Sequence, residues 1–154
     1  MKENILLVDD DPAVRRMLLR VLEDEKYHVI PAATAAEAIR IASQTAPDLT
    51  LLDINLPSAS GWDVFERLTK DHPSMPIIVI TARPNQLFPA LASGVGALME
   101  KPLDLPKLLW TIRSFLEEPQ NVRRDRLAGR PAEFHYLPSK RDEPAALVRK
   151  KGSL

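Results

Sequence analysis

Short continuous apolar runs alternate along the first 118 residues with longer segments in which apolar side chains recur every three or four positions. A continuous apolar run bounded by turn residues is typical of a strand buried on both faces of a parallel sheet. The longer segments have the spacing of amphipathic helices. The pattern therefore predicts five strands alternating with five helices, with the strands at 5–8, 29–30, 49–52, 77–80 and 97–100.

The segments between the apolar runs carry helix start signals. Asp11 stands before a proline, Thr34 opens a Thr-Ala-Ala-Glu capping box, and Asp104 precedes the apolar face of the last helix. Pro84 and Pro89 interrupt the segment that follows the fourth run. Because proline limits helix length and removes a backbone donor, the fourth helix should be short or irregular.

The alternation of strands and helices determines the fold class. It calls for a parallel sheet with helices on both faces, and right-handed crossovers leave few topologies. We predict an α/β fold of the flavodoxin-like, doubly wound type, with a five-stranded parallel sheet in the order 2-1-3-4-5. The second strand should lie near an edge of this sheet, because Pro31 follows it closely.

Polar side chains stand at the carboxyl ends of four of the five apolar runs. Asp9 and Asp10 follow the first run, Asp53 the third, Thr81 the fourth and Lys101 the fifth. In open α/β sheets these strand ends meet at one edge, where ligands bind. Several acids, a hydroxyl and an ammonium group should therefore come together. Taken singly, each has an ordinary explanation as a loop acid, a strand terminator or a solvated charge.

The amino-acid composition limits which kinds of site and which cellular location are expected. The 154 residues contain no cysteine, which excludes disulfides and thiolate metal sites and is compatible with a reducing compartment. No apolar run approaches the length of a membrane span. We therefore expect a cytoplasmic protein without a membrane partner.

Charge and proline content change after residue 118. Residues 119–154 carry nine Lys or Arg and four Asp or Glu, a net charge of +5, which leaves −5 on residues 1–118. This segment has four prolines and, apart from an apolar island at 134–137, no hydrophobic periodicity. We predict a domain over 1–118 followed by a basic, proline-punctuated tail over 119–154 that is largely disordered. The tail is too short for a DNA-binding domain with its own core, so nucleic acid is not an expected partner.

Four sequence motifs in register resemble those of a known family. VDDDP at 8–12, DINLPSASG at 53–61, ITA at 80–82 and EKPLD at 100–104 are similar to motifs of the receiver domain of bacterial two-component response regulators. The order, the spacing and the strand-end context all match over about residues 3–118. The resemblance is to single-domain, chemotaxis-type regulators, because no effector domain is expected in the tail.

The resemblance implies a role for each strand-end residue. Asp53 would accept a phosphoryl group, Thr81 would hydrogen-bond that group and Lys101 would pair with it. A divalent cation, Mg²⁺ or Mn²⁺, would be the cofactor, since crowded carboxylates need a cation and oxygen ligands suit hard metals. Its ligands would be Asp10 directly, Asp9 through water, Asp53, and the backbone carbonyl of Asn55. Lys101–Pro102 would be a cis peptide bond.

The implied function is that of a phosphoacceptor switch. The phosphoryl group would come from a sensor histidine kinase or a histidine phosphotransfer protein. The output would be contact with an unidentified downstream protein, through the surface around the fourth helix, fifth strand and fifth helix. Such a protein is not an enzyme acting on a separate substrate, because it would catalyse only its own phosphorylation and dephosphorylation.

Besides a DNA-binding regulator working through the basic tail, for which the sequence offers no recognition-helix module, two other functions compete with this one. A haloacid-dehalogenase-type phosphatase also uses an aspartate, but its D-x-D-x-T motif fails here, since position 13 is alanine. A receiver-like scaffold without phosphoswitching is the second, because Leu98 occupies the position where receivers usually carry Tyr or Phe. If the protein does switch, we expect residues 83–94 to order or shift as a unit while Leu98 stays packed.

Overall fold

The computed structural model describes residues 2–57, 59–83, 85–129 and 134–140. Within them, six strands form one parallel sheet in the order β2-β1-β3-β4-β5-β6. The predicted order 2-1-3-4-5 is confirmed, with β2 at an edge. A sixth strand beside β5 was not predicted. The strands are β1 (Asn4–Val8), β2 (His28–Ala32), β3 (Leu49–Asp53), β4 (Ile77–Thr81), β5 (Ala97–Glu100) and β6 (His135–Leu137).

Helices connect these strands, and the predicted start signals are confirmed. The Asp11 carboxylate accepts hydrogen bonds from the first-turn amides of α1, and Asp104 does the same for α5. Thr34 caps α2 through the Glu37 amide, while the Glu37 carboxylate accepts from the Ala33 amide. No helix in the described ranges is long and apolar enough to cross a membrane. The helices are α1 (Pro12–Asp24), α2 (Ala35–Thr45), α3 (Gly61–Asp71), α4 (Leu87–Ser93), α5 (Leu105–Leu116) and α6 (Gln120–Leu127).

The two faces of the sheet are covered by different helices. One apolar layer contains residues of α2, α3 and α4, and the other contains residues of α1 and α5. Since successive side chains of a strand point to opposite faces, Leu52 of β3 belongs to the first layer and Leu51 to the second. The sheet is therefore doubly wound, and its two edges and its strand ends are the places left for function.

The fourth helix is short, as predicted. α4 has seven residues, and Pro89 lies in its first turn, where the missing amide has no helical partner to lose. Gln86 precedes the helix without a side-chain cap, and Gly94 ends it in the left-handed conformation at φ 81°. α4 is thus bounded more weakly than α1, α2 or α5.

The prediction of a largely disordered tail is wrong for residues 119–129 and 134–140. These residues form α6 and β6, so the described part of the chain has six strands and six helices instead of five of each. The apolar island at 134–137 pairs with β5, whose edge it covers, and this long-range contact is invisible to composition. Residues 130–133 and 141–154 lie outside the described residues, and the domain boundary at 118 stays a prediction.

Candidate functional site

The register of the sheet brings two acids side by side. β1 pairs with β3 up to Val8 and Leu52, so Asp9 and Asp53 are the next residues on adjacent strands. Asp53 ends its strand, and Asp9 comes directly after its own. A sequence can place each acid at a strand end, but only this register makes them neighbours.

The same register brings in the hydroxyl and the ammonium group. Asp53 pairs with Ile80 of β4, and Thr81 follows; Thr81 then pairs with Glu100 of β5, and Lys101 follows. The ladder continues one step further, because the Lys101 amide donates to the Thr81 carbonyl at 2.8 Å. The four strand ends therefore meet at one edge, as predicted.

Three carboxylates cluster there. Asp9, Asp10 and Asp53 each present an oxygen such that all three lie within 4.8 Å of one another. Asp9 and Asp53 are buried, with 1% and 3% of their surface exposed, whereas Asp10 is exposed. A set of carboxylate oxygens that is open to water on one side suits a hard divalent cation such as Mg²⁺.

Lys101 lies between the two buried acids. Its Nζ is 2.9 Å from Asp9 Oδ2 and 3.1 Å from Asp53 Oδ2. One ammonium group thus contacts two carboxylates, and it leaves the exposed Asp10 carboxylate facing water. The peptide bond from Lys101 to Pro102 is cis, as predicted.

Burial and charge shift two pKa values at this site. Burial raises the pKa of Asp53 above its usual value, and the Asp9 charge adds to the rise, although the Asn55 amide and Lys101 oppose it. Burial favours the neutral amine of Lys101, but its hydrogen bonds and charge contacts with Asp9 and Asp53 outweigh burial and raise its pKa. Additional positive charge nearby would therefore stabilise the ionised form of Asp53, whereas Lys101 stays protonated.

Asn55 makes two contacts in addition to the backbone-carbonyl role that the resemblance implies. Its amide N–H donates to Asp53 Oδ1 at 2.8 Å, and its side-chain Nδ2 donates to Thr81 Oγ1 at 3.2 Å. The fully buried Thr81 hydroxyl also accepts from the Arg83 amide at 3.0 Å and donates to the Arg83 carbonyl at 3.3 Å. The hydroxyl is thus held by the loop that leads to α4. No spacing in the sequence signals the Asn55–Thr81 or Arg83–Thr81 contacts.

Gly61 positions the loop that carries Asn55. The Gly61 amide donates to the Ile54 carbonyl at 3.1 Å, and a Cβ at Gly61 would overlap the Ile54 backbone. Glycine is needed here for close approach. The first residue of α3 therefore fixes the loop directly after Asp53.

Arg15 is a further contact that sequence reasoning missed. Its Nη1 donates to the Asp9 carbonyl at 2.7 Å from the first turn of α1. The Asp11 amide donates to Asp9 Oδ1 at 2.9 Å, while the Asp11 side chain caps α1 as predicted. Both Asp9 oxygens are thereby occupied, one by Asp11 and one by Lys101. The backbone and side chain of Asp9 are held in place.

Leu98 lies on β5, where receivers usually carry an aromatic residue. It is fully buried in the layer that contains α3 and α4, and it pairs with Tyr136 of β6. An aromatic side chain therefore does lie beside this position, on the neighbouring strand β6. Tyr136 is 41% exposed.

Known proteins match most of the chain. The transcriptional regulatory protein GlrR of Escherichia coli K12 is 32% identical over 117 residues, which cover 75% of this chain and 26% of GlrR. The response regulator MprA of Mycobacterium leprae is 36% identical over 114 residues, covering 73% of this chain and 50% of MprA. The chain thus spans about a quarter to about half of the length of these curated relatives.

Solved structures match over their whole length. The receiver domain protein (CheY-like) from Methanospirillum hungatei is 33% identical, with a TM-score of 0.74, and the match covers 79% of this chain and 98% of that one. The response regulator TrrA of Thermotoga maritima, solved in complex with Mg²⁺–BeF, is 26% identical, with a TM-score of 0.69 and coverage of 73% and 98%. Both TM-scores indicate that these structures have the same overall fold as this chain.

The family described as response regulator receiver domain matches residues 5–113, well over half of the chain. The matched range begins at the second residue of β1 and contains β2 to β5 and all of the predicted site residues. It ends inside α5, so α6 and β6 lie beyond it. The chain belongs to the receiver domain family of two-component response regulators.

Proposed function

We propose that Asp53 accepts a phosphoryl group from a sensor histidine kinase or a histidine phosphotransfer protein, and that the phosphorylated domain signals by contact with a downstream protein. One observation supports this assignment above the others. Asp53 is the buried carboxylate that contacts the Lys101 ammonium group, at 3.1 Å, and that is linked to the Thr81 hydroxyl through Asn55, whose amide donates to Asp53 at 2.8 Å and whose side chain donates to Thr81 at 3.2 Å. These donors stabilise negative charge where a transferred phosphoryl group would lie.

The proposed step is a phosphoryl transfer. A carboxylate oxygen of Asp53 attacks phosphorus, an O–P bond forms, the P–N bond of the phosphohistidine breaks, and the histidine nitrogen keeps the bonding electrons. A divalent cation held by Asp9, Asp10, Asp53 and the Asn55 carbonyl would neutralise charge on the phosphoryl oxygens. The protein's part is then positioning and charge stabilisation.

Lys101 and Thr81 are the residues that we propose to respond to the product. A phosphoaspartate carries more negative charge and more acceptor oxygens than the carboxylate that it replaces. The Lys101 ammonium would pair with it. The Thr81 hydroxyl would exchange its hydrogen bond to the Arg83 carbonyl, at 3.3 Å, for one to the phosphoryl group. Hydrolysis of the acyl phosphate by water, which restores Asp53, would complete the cycle within the same site.

The test of this proposal is chemical phosphorylation of the full chain. Incubation with acetyl phosphate and Mg²⁺, followed by intact-mass measurement, should give one phosphoryl increment in the wild type and none in Asp53→Asn. EDTA should prevent it. Asp11→Asn is the matched control, because Asp11 lies two residues from Asp9 but acts as a helix cap, and asparagine preserves that cap. An increment that persists in Asp53→Asn, or that EDTA does not affect, would refute the assignment.

A second comparison tests the metal ligands. The Asp9 oxygens are already occupied by Lys101 and the Asp11 amide, whereas the Asp10 carboxylate is exposed and free to bind a metal directly. Asp10→Asn should therefore raise the Mg²⁺ concentration needed for half-maximal phosphorylation more than Asp9→Asn does. The two titrations are read from the same mass spectra. The reverse order would show that Asp9 is the direct ligand.

A further inference from the structure

The segment after α5 runs along the sheet and ends at the site. We call residues 120–129 and 134–140, which contain α6 and β6, the C-terminal strap. The His135 amide donates to the Gly96 carbonyl at 2.9 Å, and β6 then pairs with β5 in parallel from Ala97 to Met99. The strap therefore occupies the outer hydrogen-bonding edge of β5.

The far end of the strap touches the residues on either side of Lys101. The Ser139 amide donates to Glu100 Oε1 at 3.3 Å, and the Lys140 amide donates to the Pro102 carbonyl at 3.2 Å. Lys101 is the residue whose Nζ contacts Asp53. A displacement of the Lys101 backbone would therefore change the geometry of both of these hydrogen bonds.

The near end of the strap rests on the end of α4. A Cβ at Gly94 would lie 2.9 Å from the Arg126 carbonyl oxygen and 3.1 Å from the Leu127 Cα. The backbones of the α4 C-terminus and α6 thus approach so closely that no side chain separates them. α4 cannot shift towards α6, or rotate there, without moving the strap.

Both ends of the strap are connected to the proposed phosphoryl site through neighbouring residues. The Thr81 hydroxyl is bonded to Arg83, which begins the segment to α4, and α4 ends at Gly94 against the strap. The second route is shorter, from Lys101 through its two chain neighbours to Ser139 and Lys140. The two groups that would move towards a phosphoryl group are therefore the same two groups that are linked to the strap.

Both elements of the strap are short. β6 has three residues and α6 has eight, lengths that are marginal without tertiary support. Burial lowers the pKa of Arg123 in α6, and neighbouring Arg126 contributes to the lowering, although Glu118 opposes both. Docking therefore includes an electrostatic cost. Short elements that depend on tertiary docking are ones whose docking a ligand can bias.

We infer that the C-terminal strap covers the β5 edge in a phosphorylation-dependent way. The strap is docked when Asp53 is unphosphorylated and loosened when Asp53 is phosphorylated. The inference rests on the proposed function. When the Thr81 hydroxyl leaves Arg83 and Lys101 moves towards the phosphoryl group, the α4 end and the Glu100–Pro102 turn no longer fit the strap. Loosening frees the edge of β5 that β6 covers.

Hydrogen exchange on the full wild-type chain tests the coupling directly. With Mg²⁺ present, addition of beryllofluoride, a phosphoryl mimic, should speed exchange in peptides that cover 120–129 and 134–140. Roughly fivefold is expected, the lower end of ordinary coupling between sites. Peptides around 53–61 should become slower in the same sample, which reports occupation of the site. Unchanged or slower exchange in the strap, with the site occupied, would overturn the inference.

A pair of variants tests the reciprocal effect. Lys140→Pro removes both the exposed side chain and the amide that donates to Pro102, whereas Lys140→Ala removes only the side chain. Because coupling is reciprocal, Lys140→Pro should bind beryllofluoride roughly fivefold more tightly than Lys140→Ala. Equal affinities would overturn the inference. Failure of beryllofluoride and acetyl phosphate to modify even the wild type would instead refute the proposed function, and the coupling with it.

Discussion

Two buried charge clusters of this protein are built in opposite ways. At the carboxyl ends of the strands, one cation, Lys101, lies between the carboxylates of Asp9 and Asp53. Beneath the strap, one carboxylate, Glu118, lies between the guanidinium groups of Arg123 and Arg126, at 3.9 Å and 2.7 Å. Each cluster crowds two like charges around one opposite charge.

The clusters differ in what else surrounds them. The acidic cluster continues into the exposed Asp10, so a solvated cation can join it. In the basic cluster the two arginine side chains are only 7% exposed. Arg123 donates to the Phe115 carbonyl, and Arg126 lies over the Phe115 ring at 5.3 Å from its centroid. A crowded cluster open to water is suited to a ligand, whereas one closed by backbone and aromatic groups serves to hold two elements together.

The largest effect is expected from removing the shared cation. Lys101→Ala leaves Asp9 and Asp53 buried side by side without their partner, so the free energy of unfolding without metal should fall by about 3 kcal/mol. Mg²⁺ should restore more stability in this variant than in the wild type. Urea unfolding with Mg²⁺ and with EDTA measures both. Lys70→Ala, on the exposed end of α3, is the control and should change little.

Glu118→Ala should destabilise the buried cluster of Glu118, Arg123 and Arg126. Mg²⁺ should not restore the lost stability. Breaking a buried ion pair costs about 3 kcal/mol, which corresponds to roughly a hundredfold faster hydrogen exchange in α6. Asp71→Ala, which breaks the exposed Arg67–Asp71 pair, is the matched control and should cost about 0.5 kcal/mol or less. Equal effects of the two variants would mean that the Glu118 pair behaves as a surface pair.

Two glycine substitutions, for which a smaller effect is expected, distinguish the cost of backbone strain from the cost of losing the contact between α4 and the strap. Gly94 and Gly129 both have positive φ, 81° and 78°, but only Gly94 abuts another backbone, since a Cβ at Gly129 would meet nothing within 4 Å. Gly129→Ala should cost about 1 kcal/mol from the left-handed conformation alone. Gly94→Ala should cost more and should also speed exchange in α6. Similar losses in both would argue against a tight contact between α4 and α6.

The smallest effect is a pH dependence of stability at the open cluster. The folded-state pKa of Asp53 is raised above the usual value of 3.8, so the folded protein holds this proton more tightly than the unfolded chain. The resulting stability is fully present below pH 3.8 and is lost as the pH rises through the folded pKa. Asp53→Asn should lack this component. Thermal unfolding of both proteins in EDTA from pH 4 upwards measures it; identical slopes would contradict the assignment.

The sequence by itself determined the central sheet and the place of the site. The continuous apolar runs, the caps at Asp11, Thr34 and Asp104, and the short fourth helix all appear in the structure. These features depend on local chemistry or on periodicity. The carboxyl ends of parallel strands must share an edge, so the strand-end residues could be assigned to one site before any distance was known.

The structure alone decided the contacts that hold the site together. Asn55 Nδ2 reaches Thr81 across a separation of 26 residues that no short-range pattern encodes, and Arg15 Nη1 reaches the Asp9 carbonyl. Asn55 and Thr81 are far apart in sequence and meet only because β3 and β4 pair in one particular register. Such side-chain contacts follow from register and packing.

The strap was missed for the same physical reason. A three-residue strand has almost no stability of its own, so β6 exists because β5 offers it an open edge. α6 is polar by sequence, and composition alone places Arg123 and Arg126 in a basic tail. They are buried because Glu118 and Phe115 lie at the end of α5, where the chain turns back. Composition reports the average preference of a segment for water, whereas the tertiary structure supplies the particular partners that overcome that preference.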